Sequence, residues 1–102
     1  MPETNHAPVH LTILVVPHFN LAATTGFIDP FRIANYLHGE GLFRWDVVSE
    51  QGGSVQASNG MTLDTSALSH VASGRRDMVM VSSSWSPDAH SRPSLHAALW
   101  RW

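Results

Sequence analysis

The segment Leu11–Leu37, LTILVVPHFNLAATTGFIDPFRIANYL, limits the fold more than any other part of the chain. Leu11–Val16 is a short, nearly continuous apolar run rich in β-branched residues, the pattern of a strand covered on both faces. Pro17-His18-Phe19-Asn20 breaks that run, and Phe27, Phe31, Ala34 and Leu37 then recur at roughly helical spacing. Strand, tight turn and helix in that order begin many open α/β sheets, whose ligand sites lie where strands end and helices begin. The helix has two starts open to it. Either Asp29 is its N-cap with Pro30 in the first turn, or it begins near Leu21 or Ala22 and carries Pro30 in its interior. Gly39 or Gly41 ends it.

Downstream, Phe43–Ser49 (FRWDVVS) is a second strand and Asp77–Ser82 (DMVMVS) a third. Gln51-Gly52-Gly53 is a turn, and Ser54–Thr65 alternates around Asn59-Gly60, a strong hairpin signal. That hairpin reads as a small excursion beside the main sheet. Ser66–Ser73 has room for a short helical turn. Pro93–Trp102 is an amphipathic helix, with Leu95, Ala98, Leu99 and Trp102 on one face. Strands alternating with helices imply parallel pairing and right-handed crossovers. The expected fold is an open α/β parallel sheet with helices on both faces, built of about three core strands, two main helices and the hairpin. Residues 1–10 form a flexible lead-in. Three strands are few for such a sheet, and the last helix leads to no further strand, so residues 11–102 read as the N-terminal part of a longer domain.

Length and composition narrow the function. A chain of 102 residues makes one small domain. Its net charge is −2, with six basic residues, all arginine. No basic stripe is available to neutralise phosphates, so these residues alone are not expected to bind nucleic acid tightly. Cysteine is absent, which removes disulfides and thiolate chemistry. The polar start, and an apolar run too short for a signal core or membrane span, place the chain in the cytoplasm with no membrane partner.

Candidate chemistry gathers at the carboxyl ends of the expected strands. Phe19 and Asn20 lie in the turn after the first strand. Ser82, Ser83 and Ser84 close the third, where hydroxyls and backbone N–H groups suit a carboxylate or carbonyl oxygen. Trp85 follows in the same loop, placed to stack on a ligand. There is no Gly-x-Gly-x-x-Gly, no Walker A pattern and no Gly-x-Ser-x-Gly elbow. Seven histidines are scattered without ligand spacing, so neither metal nor cofactor is expected. Arg75-Arg76 reads as a solvated turn.

The segments Leu11–Asn20, Gly26–Asn35, Phe43–Ser49, Gly53–Gly60 and Asp77–Pro87 together resemble the PfpI-like, class I glutamine amidotransferase-like domain. More narrowly, they resemble the version at the N-terminus of AraC-type transcription regulators. Asp29-Pro30-Phe31-Arg32-Ile33-Ala34-Asn35, Arg44-Trp45 with Ser49, and Ala57-Ser58-Asn59-Gly60 carry the narrower likeness. The resemblance implies a flavodoxin-like fold, with a reactive cysteine or its relic beyond Trp102 and a C-terminal helix-turn-helix domain that binds DNA. It further implies a homodimer and a small polar effector, such as a quaternary amine or an amino-acid derivative.

Two departures from the hydrolase members bear on catalysis. They carry a Glu about one helical turn before the matching proline, where this chain has Gly26, which offers no acid or base. Their third strand often ends in Gly-Gly, where this chain has Ser83-Ser84. The expectation is therefore a non-catalytic sensing domain, with Phe19, Asn20, Ser83, Ser84 and Trp85 as ligand contacts. The rivals are a fragment of a PfpI-like cysteine hydrolase or hydratase, and an unrelated small α/β binding module.

Overall fold

The computed structural model describes residues 8–70, 76–84, 93 and 95. Along the chain run β1 (Val9–Val15), α1 (Leu21–His38), β2 (Phe43–Ser49), β3 (Gly53–Gln56), β4 (Thr62–Ala67), a 3-10 turn (Leu68–His70) and β5 (Met78–Ser82). They form one sheet in the order β3-β4-β2-β1-β5, a flavodoxin-like open α/β arrangement. β1 is interior and pairs in parallel with β2 (Ile13↔Val47, Leu14↔Val48) and with β5 (Leu14↔Val81, Val15↔Ser82).

Alternation along β1 sends its side chains to two cores. Ile13 and Val15 pack with Phe19, Val55 and Ala57, and Leu21, Phe27 and Ile28 of α1 close over them. Leu14 packs on the opposite face with Val48, Leu68 and Leu95. Coverage on both faces is why Leu11–Val16 is apolar apart from Thr12, and every one of these positions is buried, Thr12 included.

The helix takes the earlier of its two starts. Asn20 is the N-cap, and its Oδ1 accepts the Ala23 N–H at 2.9 Å. Pro30 lies in the helix interior, and Asp29, not a cap, pairs with Arg32 at 3.0 Å on the exposed surface. Gly39 closes the helix in the left-handed conformation, at φ 79, with its N–H on the Asn35 carbonyl. The Asn35 side chain then reaches the start of β2. Its Oδ1 accepts the Phe43 N–H at 2.9 Å, and its Nδ2 donates to the Phe43 carbonyl at 3.0 Å. Edge-to-face contacts of Phe31 with Phe27 and Phe43 cement the same corner.

Two expectations change. β1 begins at Val9, inside the expected lead-in, because Val9 and His10 pair with Phe43 and Arg44. The His10 N–H also donates to the Asp77 carboxylate at 2.8 Å, and His10 Nε2 meets Asp46 Oδ2 at 2.7 Å. The hairpin is not an excursion. β3 and β4 pair antiparallel through Val55↔Leu63, but β4 also joins β2 in parallel at Val48↔Ser66 and Ser49↔Ala67. The main sheet thus has five strands instead of about three core strands. The expected helix over 93–102 lies outside the described residues apart from Pro93 and Leu95, both helical; Arg75 and Trp85 lie outside them too.

Candidate functional site

From β1 the chain crosses through α1 to β2 on one side, and β5 flanks β1 on the other. The carboxyl ends of β1 and β5 therefore border the switch in strand order, where open α/β sheets take ligands. The two ends are joined by a hydrogen bond from the Val16 N–H to the Ser82 carbonyl at 3.2 Å. Ser82 is buried, and its Oγ lies 2.6 Å from Thr24 Oγ1 in the first turn of α1. Thr24 Oγ1 donates to the Asn20 carbonyl at 2.7 Å, so its single proton is spent and Ser82 is the donor in the shared bond.

The turn after β1 is held from the side by the hairpin. The His18 N–H donates to the Gln56 carbonyl at 2.7 Å, the Ser58 N–H donates to the Phe19 carbonyl at 2.8 Å, and Phe19 bridges Ala57 in parallel. Within this clamp His18 takes φ 67, a left-handed conformation uncommon for a residue with a side chain. The distortion turns the backbone sharply enough to bury Phe19 completely and to place Asn20 at the helix cap.

The residues nominated by sequence divide accordingly. Phe19 is 0% exposed and belongs to the core, where it shapes the site from below. Asn20 is exposed, with its carbonyl and side-chain oxygens committed to α1. Ser83 and Ser84 are half-buried just past β5, and their hydroxyls bond no other described residue. Trp85 lies outside the described residues. Among the described residues, no group of three or more His, Asp or Glu side chains is placed to hold a metal ion.

The sequence reading overlooked the other flank of β1. A cavity of about 330 Å³ opens between the carboxyl ends of β1 and β2 and the inner side of the hairpin. Val15, Val16, Pro17, Val55 and Leu95 supply apolar walls, and Glu50 lines it at the end of β2. The turn that frames it is held by hydrogen bonds and close packing. Gly52 sits at φ 79 with its N–H on Ser49 Oγ at 2.9 Å, and Ser49 Oγ lies 2.6 Å from Thr65 Oγ1. A Cβ on Gly52 would come within 2.8 Å of the Ala67 backbone nitrogen. Gly52-Gly53 was the signal in the sequence, legible as a turn but not as the rim of a cavity.

No protein-family model matches the chain. It is 35% identical over 83 residues to the HTH-type transcriptional regulator CdhR of Pseudomonas aeruginosa, covering 80% of this chain and 24% of that protein. It is 33% identical over 67 residues to the HTH-type transcriptional regulator GbdR of the same species, covering 66% of this chain and 18% of that protein. Among solved structures, it superposes on an AraC family transcriptional regulator from Pseudomonas putida with a TM-score of 0.78 and 26% identity, over 90% of this chain and 56% of that one. The chain thus spans about a quarter or less of the length of the curated relatives it matches.

Proposed function

We propose that this chain is the N-terminal part of a small-molecule-sensing, non-catalytic domain of an AraC-type transcription regulator, of PfpI-like, amidotransferase-like build. The observation that carries this reading is the likeness to the regulator CdhR over 80% of the chain, together with the shared fold of the Pseudomonas putida regulator. The whole protein would work in the cytoplasm as a homodimer and reach DNA through a separate helix-turn-helix domain. No helix among the described residues is long and apolar enough to cross a membrane.

Two features favour sensing over catalysis. Gly26, where related hydrolases carry a Glu, is an exposed helical position with nothing within 4 Å of an added Cβ. The strand-end oxyanion position holds Ser83-Ser84 in place of a glycine pair. Ser83 and Ser84 bind the polar end of the effector, Trp85 stacks on it, and Phe19 and Asn20 fix the wall opposite. The effector is a small polar molecule, a quaternary amine or an amino-acid derivative.

Titration of the isotope-labelled chain with a panel of such compounds tests the reading. Saturable shifts at the Ser83 and Ser84 amides are expected. Turnover of a small amide by the chain would replace the sensor with a hydrolase.

A further inference from the structure

The tip of the hairpin pairs an amide with a nucleophile. Asn59 and Gly60 are both exposed, in the turn that joins β3 to β4. The Gly60 N–H donates to the Ala57 carbonyl at 3.0 Å, and Gly60 takes φ 90. Asn59 Oδ1 accepts the Met61 N–H at 3.0 Å. That bond draws the carboxamide back across the Asn59–Gly60 peptide. It also sets a donor against the oxygen that gains charge when a nucleophile adds to Cγ. The nucleophile at hand is the Gly60 backbone nitrogen. Glycine puts no side chain in its way, and a Cβ built on Gly60 meets nothing among the described residues within 4 Å, so ring closure and the entry of water have room. Asn20 and Asn35 are held differently. Asn20 caps α1, Asn35 grips the Phe43 backbone, and the bulky Leu21 and Tyr36 follow them.

We propose that Asn59-Gly60 is a site of spontaneous deamidation, a covalent change that loosens the hairpin's hold on the turn after β1. The Gly60 nitrogen gives up its proton and bonds to Asn59 Cγ. The bond from Cγ to the side-chain nitrogen breaks, and ammonia leaves with that proton, closing a cyclic succinimide. Water then adds to one of the two ring carbonyls and opens the ring to aspartate or isoaspartate at position 59. Neither oxidant nor cofactor enters. The hydrogen bond from Gly60 to Ala57 is the brake, since the nitrogen must leave it before it can attack. Both products add a negative charge. Isoaspartate also routes the main chain through the side-chain carbon, one methylene longer. The added length falls between Ala57 and Met61, whose N–H and carbonyl bond at 2.7 Å. It lies beside Ser58, whose N–H holds the Phe19 carbonyl, and near Gln56, whose carbonyl holds the His18 N–H. The modification therefore reaches the left-handed turn that leads into the helix cap. It goes beyond the sensor reading and does not depend on it.

Ageing the 102-residue chain at mildly alkaline pH tests it. Peptide mapping should place the amide-to-acid mass gain at position 59, with positions 20 and 35 intact. A protein-isoaspartate methyltransferase, used as a reagent, should label the same peptide. Urea should speed the loss severalfold by freeing the Gly60 N–H. Gly60→Ala should slow it at least about tenfold. Asn59→Asp supplies the charge on a main chain of normal length and keeps an acceptor for the Met61 N–H. Its amide exchange at His18 and Ser58 should stay within about twofold of the parent, while the isoaspartate form purified from the aged parent exchanges at least about tenfold faster there. That last comparison needs no variant, so the test stands even if Gly60→Ala does not fold. An intact Asn59 after ageing, or loss spread evenly over positions 20, 35 and 59, overturns the site. Loss no faster in urea overturns the brake, and parent-like exchange in the isoaspartate form overturns the loosening.

Discussion

Thr24 and Ser82, 58 positions apart, share a buried hydrogen bond of 2.6 Å that fastens the first turn of α1 to the last residue of β5. Because Thr24 spends its proton on the Asn20 carbonyl, the two hydroxyls form a directed chain from strand to helix cap. Thr24→Val keeps the shape and strands the Ser82 hydroxyl in the core, which should cost about 1–3 kcal/mol in urea unfolding. Ser82→Ala should cost less. The double variant should be more stable than the sum of the two predicts, since removing both partners leaves no orphan.

Asn35 acts as a backbone stand-in, pairing with the N–H and the carbonyl of Phe43 at once. Asn35→Ala should destabilise by about 2 kcal/mol, two hydrogen bonds at about 1 kcal/mol each. Asn35→Asp should be no better at neutral pH, because its second oxygen would face the Phe43 carbonyl. An Asp variant as stable as the parent in the same unfolding measurement would contradict this account.

Gly52 has no room for a side chain. At φ 79, with the Ala67 nitrogen 2.8 Å from any Cβ, Gly52→Ala should lose more than about 1 kcal/mol. The strain falls on the junction of β2 and β4, so amide exchange should quicken at Ser66 and Ala67 before it does in β1. Gly26→Ala is the matched control. It is helical and unhindered, and should gain about 0.5–1 kcal/mol.

Thr12 is fully buried in β1, and its Oγ1 has no hydrogen-bond partner among the described residues. Thr12→Val exchanges that hydroxyl for a methyl of similar size and should raise the stability by about 1 kcal/mol. A thermal melt that falls instead would mean that the hydroxyl is bonded in solution.

With six arginines, no lysine and a net charge of −2, the chain should not retard DNA in a gel at low salt. A shift that weakens as salt rises would place a DNA contact within these residues.

The legible parts of the fold were those written in local chemistry. Phe43–Ser49 stands where its apolar run placed it, and Asn59-Gly60 turned the hairpin as expected. Asp29-Pro30 carried a good helix-start signal, yet the cap is Asn20, and the core contacts of Leu21, Phe27 and Ile28 favour the longer helix. The strand Thr62–Ala67 is polar and alternating, so nothing in TLDTSA announces that its last two residues pair in parallel with β2. That pairing is made by backbone groups far apart in sequence. The cavity escaped for the same reason. Its walls come from β1, β2, the hairpin and Leu95, and no one segment carries its pattern. Counting from the strand puts Ser83 and Ser84 just past β5, where they lie, whereas nothing in the local sequence tells how deeply Phe19 is buried beneath the turn.

The placement of β1 between β2 and β5 has a consequence for synthesis. It leaves the ribosome before the other described strands, yet its two edges are filled at very different times. β2 follows one helix later, whereas Leu11 and its β5 partner Met78 lie 67 positions apart. Until β5 arrives, one edge of the most apolar strand in the chain stays open, and long-range parallel pairing is slow to form. The nascent chain therefore carries its most adhesive segment with one edge uncovered until β5 has been made, and Leu11–Val16 is where a holding chaperone would find it.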